Sequence, residues 1–286
     1  MRRGSARERG LARARLLMAL AVAVFALFGY FFNTEINPVT GEKQRVAMSV
    51  EQERAIGLQA APQMAAELGG IVDPRDPDAQ LVAQVGRRLV TSGLAARSPY
   101  ADNFNFHLLA DPETVNAFAL PGGQVFITRG LYRRLQDEAE LAGVLGHEIG
   151  HVIHRHGAEH MAKGQLGQLL TVAVGVASDD GSGQGALARQ AAMMANQMLQ
   201  LRYGRADESE SDGYGIVTLA DAGYDPRAML DVMKILKDAS GGQHPPEMLS
   251  SHPLPETRLV EIDVAVRERW PDGVPSTLGR GRRLGG

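Results

Sequence analysis

Segment 137–156 constrains the fold of this 286-residue chain more than any other part of it. Its apolar residues recur at helical spacing and surround His147, Glu148 and His151. Helical residues four apart differ by about 40° and by one turn, so the two imidazoles lie on one face. Charged side chains are rarely placed on such an apolar helix without a partner. The segment therefore predicts a buried helix that presents both histidines to a common partner.

The spacing of these residues is the HExxH pattern of zinc peptidases. Zinc lowers the pKa of a bound water to about 7, and a neighbouring carboxylate can accept its proton. The alternative is a chance pattern in a surface helix, which the apolar neighbours Val144, Leu145, Ile149, Val152 and Ile153 disfavour. We therefore expect Zn²⁺ as cofactor, His147 and His151 as ligands, and Glu148 as the catalytic base.

A third ligand is expected, because catalytic zinc usually has three protein ligands and one open position. The candidate segment is 205–212, where Glu208 and Asp212 are four residues apart and share a helical face. Glu210 is turned about 200° from Glu208 and faces away. A second carboxylate commonly orients a histidine ligand. The alternative is a solvated acidic face, which the apolar residues that follow, among them Ile216, disfavour.

The N-terminus predicts a membrane anchor. Residues 1–15 are basic, with six arginines against Glu8, and residues 16–32 are uncharged and apolar. A spanning helix needs about 20 apolar residues, with a lower limit of about 17, and this run lies at that limit. The arginines predict a cytoplasmic N-terminus. A cleaved signal peptide is the alternative, although no small-x-small site follows. A buried soluble helix is disfavoured because the run has no polar face.

Composition excludes several other kinds of site. The formal net charge is −3, which is unlike a nucleic-acid binder, so no nucleic-acid partner is expected. The absence of cysteine excludes disulfides, thiolate zinc sites and a cysteine nucleophile.

The hydrophobic pattern predicts an α+β fold that is mostly helical, with a small antiparallel sheet beside the HExxH helix. Residues 33–272 form the expected domain, and 273–286 a flexible tail. Short strands are predicted around Phe106, over 115–120 and over 124–128, with Pro121, Gly122 and Gly123 as a turn. Helices are predicted over about 49–68, 78–92, 137–156, 205–222, 225–237 and 256–270.

Two regions have no predicted chemical role. Residues 178–185 are polar and Gly-rich, typical of disorder or a mobile lid, and Met193, Met194 and Met198 fit core or lid packing. His154, His156 and His160 are predicted further along the HExxH helix, as structural or surface residues. Arg155 is expected to find a carboxylate partner.

Three motifs together resemble the HtpX-like gluzincin zinc metallopeptidases, the family of the type 2 CAAX prenyl proteases and the BepA-like periplasmic peptidases. They are HEIGH at 147–151, ESESD at 208–212 and NAFALPGG at 116–123, and the resemblance covers roughly residues 40–270. It implies a zincin-type endopeptidase in which Glu208 is the third ligand and Asp212 supports the site. Ser211 stands where the family usually has alanine. The single-anchor form resembles the BepA-like group, and this chain is expected to lack that group's C-terminal TPR domain.

The resemblance implies two further elements of the site. Strand 115–120 resembles the family's edge strand beside the cleft, so Asn116, Ala117 and Phe118 are expected to bind an extended peptide by strand addition. A plain core hairpin is the alternative. His252, in the segment SHPLP with Arg258 downstream, resembles the family's His-Pro element. It would hydrogen-bond the oxyanion or occupy the open zinc position and hold the enzyme latent. Without the resemblance, it would be an ordinary loop residue.

The expected function is a membrane-anchored zinc endopeptidase of the bacterial inner membrane, with one span and a periplasmic catalytic domain. Its expected partners are unfolded or misassembled envelope proteins. One alternative is a zinc-dependent peptide-binding or chaperone-like module with latent activity. Another is a structural anchor whose zinc only stabilises the fold, in which case metal removal would unfold it.

Overall fold

A computed structural model describes residues 6–46, 48–178, 203–240, 246–252 and 256–284. The polar loop predicted after Ser178, the methionines at 193, 194 and 198, and Pro253 and Pro255 lie outside the described residues. The chain divides into two units. Of the described residues, one unit contains 6–36, 42–46 and 158–178, and the other contains 37–41, 48–157, 203–240, 246–252 and 256–284.

The first unit contains the apolar N-terminal helix α1 (Ala6–Phe32) and most of α6 (His156–Ser178). Strands β1 (Glu35–Ile36) and β2 (Lys43–Gln44) pair antiparallel. Within the described residues, Arg13–Phe32 is the one segment long and apolar enough to cross a membrane; a signal sequence meets the same criteria. Its large side chains are exposed, Phe25 by 74% and Phe32 by 72%. This exposure disfavours a buried soluble helix.

The second unit begins with two capped helices. In α2 (Val50–Glu67), Ser49 and Gln52 form a reciprocal capping box. In α3 (Pro77–Ser92), the Asp76 side chain accepts hydrogen bonds from two backbone amides of the first turn, and proline occupies the first helical position. Both helices agree with the predicted boundaries to within one residue, because neighbouring residues cap them.

A three-stranded sheet follows, in the order β3 (Asn105–Leu109), β5 (Gln124–Thr128), β4 (Ala117–Leu120). The β4–β5 pair is antiparallel, as predicted for a hairpin. The β3–β5 pair is parallel, so the sheet is mixed and not purely antiparallel. Every residue of β5 is buried, because Val125 and Ile127 join the main core and Phe126 packs on the opposite face with α2. This double burial suits a central strand.

Helix α5 (Glu138–Ile153) carries the HExxH residues and lies in the main core, packed against β4 and the later helices. Thr128 caps the short helix α4 (Arg129–Tyr132) that precedes it. Asp137 caps α5 by accepting a hydrogen bond from the Glu140 amide at 3.1 Å. The predicted continuation to residue 156 is wrong, because α5 ends at Ile153. Arg155 then adopts a left-handed backbone with φ of 56°, and α6 begins at His156.

In the part of the chain that the structure describes, the later α-helices are α7 (Arg205–Asp221), α8 (Ala228–Ser240), α9 (Met248–Ser251) and α10 (Glu256–Arg269). Segment 273–284, expected to be a flexible tail, instead makes backbone hydrogen bonds to the start of α5. The Glu138 amide donates to Arg282 and the Leu284 amide to Gln136. Arg280 adds ion pairs to Asp137, Glu140 and Asp231. The mostly helical α+β class is confirmed, with the small sheet beside the HExxH helix.

Candidate metal centre

Helices α5 and α7 meet at the centre of the candidate site, and a glycine allows their close approach. A Cβ added at Gly150 would lie 2.9 Å from the Ser211 Cα, closer than real side chains come. Glycine at the fourth position of HEIGH therefore lets the α7 backbone lie against α5. This contact brings Glu208 and Asp212, on either side of Ser211, to the histidines.

Four ligand atoms, one each from His147, His151, Glu208 and His252, lie within 4.8 Å of one another, and all four residues are buried. The His147 Nε2 atom is 3.1 Å from His151 Nε2 and 3.5 Å from a Glu208 carboxylate oxygen. The other Glu208 oxygen is 3.5 Å from His151 Nε2. Ligand atoms about 2.0–2.1 Å from a tetrahedral zinc are separated by about 3.3 Å, so this donor set fits zinc in type and spacing.

Asp212 and Arg258 lie next to the ligand residues and carry opposite charges. Asp212 Oδ1 is 2.8 Å from His147 Nδ1, which leaves the Nε2 lone pair directed at the other ligands. Arg258 donates to both Asp212 oxygens at 2.9 and 2.7 Å and pairs with Glu208 at 2.6 Å. Burial acts to raise the pKa of Asp212, but His147 and Arg258 overcome it, and the net pKa is lowered. Asp212 therefore stays ionised in the interior.

The same carboxylates act on His147. Burial lowers the pKa of its imidazole, but hydrogen bonds to Asp212 and Glu208 outweigh burial and raise the pKa to about 10. A site that favours a positive charge so strongly is suited to a cation. His151 shows the opposite, because burial and the neighbouring imidazoles hold its pKa well below the usual value.

Glu148 lies beside the ligand group and is 1% exposed. Its Oε1 atom has no hydrogen-bond partner among the described residues and lies 3.7 Å from His252 Nε2. Burial raises the pKa of Glu148, opposed by the charges of His252 and His147 and by a hydrogen bond from the Ala119 amide. A buried carboxylate oxygen without a donor leaves a position for a polar hydrogen next to the ligand atoms.

His252 lies at the end of α9, inside the ligand group, where its Nδ1 atom is 2.9 Å from Glu208 and 3.3 Å from His147 Nε2. It is only 2% exposed, so it is not an ordinary surface loop residue. Tyr203 stacks on the neighbouring His151 ring at 4.0 Å and donates its backbone amide to Ser251 at 2.9 Å. No motif in the sequence indicated Tyr203.

The predicted peptide-binding residues lie at and before the start of β4, which is an edge strand of the described sheet. Asn116 and Ala117 are buried, and Phe118 stacks on Phe126 at 4.9 Å. Ala119, which the sequence did not single out, donates its backbone amide to Glu148. The structure therefore places the strand beside the site.

The histidines after α5 differ most from prediction. His156 Nδ1 is 2.9 Å from His151 Nδ1, and its Nε2 is 3.0 Å from Glu210. Glu210 faces away from Glu208, as predicted, yet it contacts His156. The carboxylate partner predicted for Arg155 is Glu53, whose Oε1 accepts a hydrogen bond at 2.7 Å. Only the left-handed residue at 155 brings His156 back to His151, and no local sequence signal requires it.

Comparison with known proteins gives one family. Residues 77–266 match Peptidase family M48. The chain is 36% identical over 248 residues to the beta-barrel assembly-enhancing protease of Yersinia pestis, covering 85% of this chain and 50% of that protein. It is 32% identical over 260 residues to the beta-barrel assembly-enhancing protease of Escherichia coli K12, covering 87% and 51%.

A mitochondrial relative gives the same assignment. The chain is 30% identical over 238 residues to the mitochondrial metalloendopeptidase OMA1 of Schizosaccharomyces pombe, covering 82% of this chain and 67% of that protein. The chain spans about half the length of the two bacterial relatives. The HExxH helix, the acidic pair on α7 and His252 all fall within the matched residues. The predicted resemblance is therefore confirmed, and the chain belongs to Peptidase family M48.

Proposed function

We propose that this chain is a zinc-dependent endopeptidase. The observation that carries the proposal is the buried group of two imidazoles and a carboxylate, spaced as the ligands of one tetrahedral ion, with a further carboxylate beside it. A purely structural zinc site does not need Glu148. The donor set, with nitrogen and oxygen but no sulfur, is that of catalytic zinc in peptidases.

His147, His151 and Glu208 are the proposed ligands, and Asp212 orients His147 through its Nδ1 atom. When bound, zinc polarises the scissile carbonyl and makes water acidic enough to be deprotonated near neutral pH. Glu148 accepts that proton and then donates it to the leaving amine. Burial raises the pKa of Glu148, which makes the carboxylate a stronger proton acceptor.

Peptide binding is proposed at β4. An edge strand offers free backbone groups, and an extended substrate can pair with them. The contact between the Ala119 amide and Glu148 supports this assignment, because a peptide paired along Asn116, Ala117 and Phe118 would run past the catalytic carboxylate. His252 is proposed to stabilise negative charge on the carbonyl oxygen once substrate has displaced it from the ligand group.

The proposed substrates are unfolded or misassembled envelope proteins. The bacterial relatives are named for enhancing beta-barrel assembly, and α1 suits a single-pass anchor in the bacterial inner membrane. The arginines before the span support the proposal that the second unit lies in the periplasm. A reporter active only outside the cytoplasm, fused after Gly286 so that segment 273–284 keeps its contacts with α5, tests this topology. Activity supports it, and an inactive but expressed fusion contradicts it.

The function is tested with the full chain in detergent, loaded with zinc and given casein as an unfolded substrate. We expect casein to be cleaved and a stably folded protein of similar size to remain intact. A chelator should stop cleavage, and added zinc should restore it, because the ligands form a catalytic site. Chelation that unfolds the chain without any prior casein cleavage would instead support the structural-anchor alternative.

The latent peptide-binding module is the second candidate, favoured by the position of His252 within hydrogen-bonding distance of Glu208 and His147. If His252 mainly blocks the fourth ligand position, His252→Ala should raise casein cleavage several-fold. If His252 mainly stabilises the developing oxyanion, the variant should lose about 10²-fold or more in kcat. If the wild type and His252→Ala both bind zinc but neither cleaves casein, the binding module is favoured.

A further inference from the structure

A second line of polar contacts extends from His151 on the side away from the ligand group. His151 Nδ1 is 2.9 Å from His156 Nδ1, and His156 Nε2 is 3.0 Å from Glu210 Oε2. His156 is 1% exposed, whereas the Glu210 side chain is 44% exposed. The contacts therefore run from the buried ligand to a carboxylate at the surface.

The chemistry of imidazole fixes the protons along this line. A neutral histidine that binds a metal through Nε2 carries its proton on Nδ1. His151 Nδ1 then donates, so His156 Nδ1 must accept. The proton of His156 consequently lies on Nε2, which donates to Glu210. The carboxylate completes the line because an ionised carboxylate can only accept.

We propose that His156 and Glu210 are positioning residues, which hold His151 in the tautomer and ring orientation needed to bind metal. This inference rests on the proposed metal site. Partners of this kind fix the orientation of ligand histidines and raise their basicity. The acceptor for His151 is an imidazole, whereas the acceptor for His147 is the carboxylate of Asp212.

The backbone explains how His156 reaches this position. Residue 155 is non-glycine in the left-handed region, an unfavourable conformation that persists only where the surroundings enforce it. The Arg155 side chain is buried and donates to Glu53 and to the Met48 carbonyl at 2.8 Å. These bonds hold the turn that ends α5 and directs the next imidazole at His151.

His154, His156 and Glu210 also form a group of potential ligands whose atoms lie within 4.8 Å of one another. A metal on His156 Nε2 would require the proton of His156 on Nδ1. That proton would be donated to His151 Nδ1, which would place the proton of His151 on Nε2 and prevent it from binding metal. Two neutral imidazoles in this contact therefore cannot serve both sites, and the line of hydrogen bonds predicts one bound ion.

The test compares two substitutions of His156 in the full chain in detergent, with zinc affinity measured by chelator competition. Asparagine places an amide oxygen near the position of Nδ1, so His156→Asn keeps an acceptor for His151. Glutamine places its amide near Nε2, so His156→Gln keeps the contact to Glu210 and loses that acceptor. We expect His156→Gln to weaken zinc binding by about 10–100-fold, and His156→Asn by only a few-fold.

Glu210→Ala should weaken zinc binding by a few-fold. Because the Glu210 side chain is partly exposed, we expect this variant to fold, so it provides a second test if His156→Gln does not fold. Asp221→Ala, an exposed carboxylate at the end of the same helix, is the control and should leave affinity unchanged. Equal zinc affinity in the two His156 variants overturns the proposal. A stoichiometry of two zinc ions per wild-type chain that falls to one in Glu210→Ala also overturns it. A wild-type chain that binds no zinc overturns the proposed function as well.

Discussion

Glu148→Gln should abolish most casein cleavage while zinc remains bound. Glutamine has the shape of glutamate and can still accept the Ala119 amide hydrogen bond, but it cannot accept a proton from water. General acid–base catalysis contributes about 10²–10⁴-fold, so we expect a loss of that order in kcat. Zinc content should stay near that of the wild type, because Glu148 lies outside the group of four ligand atoms.

Glu138→Gln provides the matched control for this result. It is the same substitution on the same helix, at a residue that pairs with Arg282 at 2.9 Å and lies in the first turn. We expect it to retain nearly full activity. A Glu148→Gln variant that keeps more than a tenth of wild-type kcat would show that another group takes the proton. Loss of zinc from that variant would instead identify Glu148 as part of the metal site.

Helices whose signal is local agree with prediction. Ser49 predicts the start of α2, and apolar periodicity over 78–92 predicts α3, which the Asp76 side chain caps in the structure. The predicted end of α5 is wrong, because apolar periodicity continues through 153 but a buried arginine adopts a left-handed turn. That arginine is held by Glu53, about a hundred positions earlier in the chain, and no local pattern reports such a partner.

The site divides in the same way. His147, Glu148, His151, Glu208 and Asp212 are brought together at the positions that helical spacing predicts. The contacts of Tyr203, His156 and Arg258 depend on tertiary packing, because each reaches the ligands from a different helix or loop. Glu210 illustrates the difference. Helical spacing correctly predicts that Glu210 faces away from Glu208. Its contact with His156 depends on the end of α5 at Ile153, which the sequence did not predict.

Arg258→Leu should produce the largest loss of stability among the substitutions considered. Arg258 is 2% exposed and neutralises Asp212 and Glu208, which are both buried. Removing one partner of a buried ion pair costs about 3–5 kcal/mol, because the remaining charge is left uncompensated. Thermal unfolding of the metal-free chain should show this loss, and bound zinc should recover part of it, because its charge also neutralises Glu208.

Two variants separate this charge effect from a general effect on α10. Arg267→Leu removes an exposed arginine of the same helix that pairs with Asp263 at 2.8 Å, and exposed pairs contribute only about 0–1 kcal/mol. Arg258→Lys keeps the charge but not the bidentate contact with Asp212. Its thermal stability should therefore lie between those of the wild type and Arg258→Leu. If Arg258→Leu and Arg267→Leu destabilise the metal-free chain equally, Arg258 does not hold the carboxylates ionised. If zinc recovers none of the loss, the ion and the guanidinium do not act on the same carboxylate, and Glu208 is then not a ligand.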